Sequence, residues 1–113
     1  VLSHNGYTDG GYGYGFTVYG DQTLAQKLID AGKPANLIIG GHSHTDVTAA
    51  TMVGSTAVVQ AHYAGRKVGR ADLTWNPTTN AVAVNWSVVP RSQWKSEVPA
   101  DARVEVVTAV QGG

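Results

Sequence analysis

The segment Gly40-Gly41-His42-Ser43-His44-Thr45 constrains this chain more than any other stretch. It follows a short apolar run, Ala35-Asn36-Leu37-Ile38-Ile39, that reads as a buried strand. Two glycines end that strand, permitting a tight turn and a close approach of backbone to ligand. If the local backbone stays extended, His42 and His44 point to one face, because side chains alternate with period 2. Two imidazoles on one side of a strand end can reach one divalent metal, or two neighbouring ones.

Composition narrows the function classes. The 113 residues suffice for one small domain with a core. The formal net charge is zero, with eight acidic and eight basic residues, which argues against a nucleic-acid partner, since that needs a basic face. The absence of cysteine excludes disulfides and thiolate metal sites and leaves the redox compartment open. No apolar run approaches the ~20 residues of a membrane helix. The chain begins at Val1, without an initiator Met or signal peptide, inside what reads as a strand. An N-terminus other than the natural one is therefore expected.

In chain order, Val1-Leu2-Ser3-His4-Asn5-Gly6 reads as a strand end meeting a loop, which places His4 as His42 is placed. Beside the other two histidines, His4 reads as a ligand rather than a surface loop residue. Tyr7 to Gly20 is a long Gly- and Tyr-rich loop, whose aromatics either line a substrate path or pack the loop onto the domain; packing is the expectation. Asp21 opens a helix as its cap, Leu24, Leu28 and Ala31 with Ala25 and Ile29 form an apolar stripe, and Gly32 and Pro34 end it. The order of strand, loop, helix and strand predicts a parallel pair joined by a crossover.

Downstream, Asp46 either orients a histidine through its free ring nitrogen or serves a turn. Thr56 to His62 reads as a strand, with His62 a packed or loop histidine. Val68 to Trp75, the turn Asn76-Pro77-Thr78-Thr79-Asn80, and Ala81 to Pro90 read as a hairpin with Val82, Val84, Trp86 and Val88 on one face. Val104 to Val110 is apolar again before Gln111-Gly112-Gly113, as a short strand or the opening of a helix.

Three segments carry a resemblance: Val1 to Gly6, Leu37 to Thr45, and Val58-Val59-Gln60-Ala61 through Gly69-Arg70-Ala71-Asp72-Leu73. Over roughly residues 1–90 the chain resembles the carboxyl-terminal half of a calcineurin-like metallophosphoesterase domain, nearest to the 5′-nucleotidase family. The resemblance implies an α/β fold, part of a four-layer α/β/β/α sandwich with mixed sheets and one main helix. It implies that His4 and His42 bind one divalent ion and His44 a second, the ions being zinc, manganese, cobalt or iron. Two such ions would activate a hydroxide that removes phosphate from a nucleotide or other small phosphoester. The family's Asp-x-His, bridging Asp and Asn-His-Asp/Glu motifs would precede Val1, and its substrate domain would follow Gly113. Residues 1–113 are thus expected to be the carboxyl-terminal part of a catalytic domain cut at both ends, with no catalytic residue of its own, unknown substrate contacts and little activity alone. Its other partners would be the missing parts of the parent chain, and its place the cell surface, periplasm or exterior. The alternative is a small His-based metal-binding module without hydrolysis.

Overall fold

The computed structural model describes residues 1–11 and 13–94, and the backbone alone of 106–108. The elements run α1 (Asp21–Asp30), β1 (Leu37–Ile39), β2 (Thr51–Val53), β3 (Thr56–Val59), β4 (Lys67–Trp75), β5 (Val82–Pro90), a 3₁₀ turn at Arg91–Gln93, and β6 (Val106–Thr108). They form two three-stranded sheets, ordered β1-β3-β2 and β5-β4-β6. In the first, β1 is parallel to β3 and β2 antiparallel to it; the second is antiparallel throughout.

Period-2 alternation within β1 and β3 builds both halves of the core. Ile38 and Val58 face α1, where they meet the buried Ala25 and the half-buried Leu24 and Leu28. Leu37, Ile39, Ala57 and Val59 face the other way, onto Ala71 and Trp86 of the second sheet. Removing side chains such as Ile38 and Val58 from water is worth about 1.5–3 kcal/mol each. Trp86 also donates its indole N–H to the Val47 carbonyl at 2.7 Å, which satisfies the one polar group it buries.

The predicted parallel crossover is present. Val1 and Ser3 bracket Ile39, with Ile39 N–H donating to the Val1 carbonyl and Ser3 N–H to the Ile39 carbonyl, both at 2.9 Å. The helix ends in a Schellman motif: Gly32 N–H bonds the Ile29 carbonyl and Lys33 N–H the Leu28 carbonyl, with Gly32 at φ 72°. Its start differs from expectation. Gly20 occupies the capping position, and Asp21 is the first helical residue, its carboxylate turned away to accept from the Ser3 hydroxyl. The predicted hairpin is present, paired from Lys67 opposite Pro90 to Trp75 opposite Val82. Val106–Thr108 resolves the open choice for the last apolar run in favour of a strand, antiparallel to β4.

The expectation of a four-layer α/β/β/α sandwich is corrected. The described residues make three layers, one helix and two small sheets. The physical reason lies on the outer face of the β4–β5 hairpin. Arg70, Asp72, Thr74, Ala83, Asn85 and Ser87 project there, all exposed, with Arg70 and Asp72 forming an ion pair at 3.0 Å. A sheet face of that polarity is stable in water and offers no apolar bed for a further helix.

Candidate functional site

The turns that follow β1 and β3 bring most of the chemistry-bearing side chains together. Gln60, buried after β3, holds the first turn: its amide donates to the Gly41 carbonyl at 2.9 Å and its oxygen accepts from Thr45 N–H. Ser43 contributes a second tie, its hydroxyl accepting from Tyr7 N–H at 2.9 Å. The turn is thereby over-determined, and it holds two non-glycine residues in left-handed backbone conformations, His42 at φ 75° and His44 at φ 57°.

Those two angles change the placement of the histidines. The same-face expectation required extended backbone, and period-2 alternation does not apply to residues in the left-handed region. His42 meets His4 edge to face, ring centroids 5.1 Å apart, and stacks on Tyr14 at 6.1 Å. His44 stacks instead on Tyr63 at 4.8 Å with planes 14° apart. The structure thus brings His4 and His42 together and gives His44 a different neighbour. Among the described residues, no group of three or more His, Cys, Asp or Glu side chains is arranged to hold a metal ion. Two imidazoles fall short of the three protein ligands a catalytic zinc takes. The Asp46 carboxylate pairs with Lys67 at 2.6 Å. His62 is a loop histidine in contact with the His44 carbonyl through Nδ1 at 3.1 Å.

Asp21 is the buried ionisable group beneath this region. It is fully buried; Oδ1 accepts from Ser3 Oγ, and Oδ2 has no hydrogen-bond partner among the described residues. Oδ2 also stands in the space a side chain at residue 40 would need, which is why the residue after β1 is glycine. Burial pushes the Asp21 carboxyl above the usual carboxylate range, partly offset by the Ser3 hydroxyl and the His4 charge. Asp9 shows the opposite behaviour. Its Oδ1 accepts from Gly20 N–H at 2.8 Å and Thr23 Oγ at 2.7 Å, and these bonds hold its pKa below the ordinary value.

The fold and this region define a small mixed α/β protein in which one helix covers a three-stranded sheet and a hairpin-based sheet backs it. Residues 49–113, more than half of the chain, match the model of the ThiS family, the ubiquitin-like β-grasp sulfur carriers. The chain belongs to the ThiS family. No curated protein and no solved structure matches it.

This overturns the metallophosphoesterase resemblance and the 5′-nucleotidase-like hydrolase read from it, together with the alternative of a His-based metal-binding module. The one helix and two sheets of the described residues are consistent with a β-grasp. Of the three segments that carried the resemblance, Val1 to Gly6 and Leu37 to Thr45, which hold its histidines, lie upstream of the matched residues, and Val58 through Leu73 lies within them. Short glycine turns after buried strands recur in many folds, so they specify little by themselves. Sequence reasoning also passed over Gly112-Gly113, which closes the matched segment and lies outside the described residues. Among the described residues, no helix is long and apolar enough to cross a membrane.

Proposed function

We propose that this chain is a small sulfur-carrier-like protein, and the observation that carries the reading is the family match over residues 49–113. Its composition narrows how sulfur would travel. With no cysteine, the chain cannot hold sulfur as a persulfide, and its single methionine offers only a thioether. A carboxylate remains as the group able to bear a transferable sulfur atom. Where Gly113 is the terminal residue, its carboxylate is the natural candidate: two successive glycines leave the end of the chain unhindered by side chains. An activating group would leave with one carboxylate oxygen, and a sulfide equivalent from a donor would form the C–S bond.

Intact-mass analysis of the chain, produced in cells with an active sulfur-transfer machinery, tests the reading. The expected product shows the mass change of one oxygen replaced by sulfur, located on the terminal peptide and removed by Gly113 deletion. An unmodified mass under conditions that load a known carrier would overturn it.

A further inference from the structure

The Gly-rich loop carries rings that the core does not absorb. Phe16 stacks on Tyr14, with centroids 5.9 Å and planes 22° apart, and Tyr14 stacks on His42 at 6.1 Å and 17°. His4 closes the series edge-on against His42. Phe16 is 67% exposed and Tyr14 54%, whereas Tyr7 of the same loop packs against the helix-facing core. The packing expectation for these aromatics therefore holds for Tyr7 and fails for Tyr14 and Phe16.

The loop is built to keep those rings outward. Gly10 and Val18 pair through two backbone hydrogen bonds, at 3.0 and 2.8 Å, and Asp9 ties the returning end to Gly20 and Thr23. Gly13 and Gly15, on either side of Tyr14, have φ of 85° and 75°, and a side chain there would meet nothing nearby. The glycines are thus required by the left-handed turns that present the rings, not by crowding.

We propose that Phe16, Tyr14 and His42 form a stacking platform for a neutral, planar heteroaromatic ligand. Nearly parallel rings with an exposed outer face extend their own stack by adding another flat π-system, and an aliphatic ligand gains no such alignment. The surroundings favour a neutral ring. Asp9 is engaged by the loop's own N–H and hydroxyl groups, and the Lys27 ammonium lies over Tyr19 at 4.8 Å. The site is independent of the carrier reading, since it lies wholly upstream of residue 49.

Titration of the full chain with caffeine, a neutral purine without sugar or phosphate, tests this by NMR, with cyclohexanol as the saturated control. Saturable ring-current shifts are expected at the Tyr14 and Phe16 rings and the Gly13 and Gly15 amides, with no such response to cyclohexanol. Phe16→Leu should weaken caffeine binding roughly tenfold, and Phe16→Trp should preserve or tighten it. Phe16 is exposed, so both variants keep the native amide spectrum of α1 and the β4–β5 hairpin. Absence of saturation, an equal response to cyclohexanol, an unchanged affinity in Phe16→Leu, or binding of a single-stranded oligonucleotide without binding of caffeine would each overturn the proposal.

Discussion

The Trp86 indole lies where a side chain on Gly69 would stand: a Cβ at that position falls well inside van der Waals contact with the ring. Gly69 of β4 and Trp86 of β5 share the inner face of the hairpin, and the ring fills the space that the missing side chain leaves. Gly69→Ala is expected to destabilise the fold by about 1–3 kcal/mol through overpacking. Urea unfolding checks this, with the midpoint falling and the slope unchanged. A variant as stable as the parent would show that the indole has an alternative seat.

Asp21 makes stability depend on pH. Its folded-state pKa is raised by burial, so its favourable contribution is complete below the ordinary carboxylate value and is lost as pH rises through the raised one. Stability should therefore climb on acidification from neutrality toward that range, for this group's part. Asp21→Asn keeps an oxygen for the Ser3 hydroxyl and removes the charge. Unfolding curves at several pH values should show a flatter dependence in the variant, and an unaltered slope would refute the assignment.

Gln60 joins the end of β3 to the turn that carries His42 and His44. Replacing it with Leu keeps the volume and strips the Gly41 carbonyl and the Thr45 N–H of their buried partner. A loss of about 1–3 kcal/mol is expected. Hydrogen exchange at Thr45 should accelerate more than at Val58 in the centre of the sheet. Equal acceleration at both sites would mean that Gln60 acts on global stability alone.

Asp9 closes the aromatic loop against the helix start. Its pKa is held low by the Gly20 N–H and Thr23 hydroxyl, so its contribution is present above the ordinary carboxylate range and lost as pH falls through the depressed value. Asp9→Ala should broaden or shift the Gly10 to Gly20 amide resonances while leaving the hairpin resonances in place. Uniform shifts across both regions would contradict a local role.

Much of the architecture was legible because it rests on short-range patterns. The all-apolar Leu37–Ile39, the stripe of Leu24, Ala25 and Leu28, the Gly32 terminus and the alternating hairpin strands each declare an element and its buried face. Those periodicities arise from backbone geometry that a dozen residues express by themselves. The candidate site was less legible. Extended backbone at His42 and His44 was an assumption that left-handed torsions overturned, and those torsions are maintained by Gln60, which lies 19 residues after Gly41.

The chain's sequence by itself determined where a helix and most strands form, which of their faces are apolar, and that these 113 residues offer no thiol. Tertiary structure alone decided that the described residues form three layers, that Asp21 answers to Ser3 rather than to its own helix, and that Tyr14 and Phe16 stand in solvent while Tyr7 does not. The reason is one of range. Local pattern sets how a segment presents itself, whereas the partners of a polar group or a ring depend on segments brought beside it by burial of apolar surface.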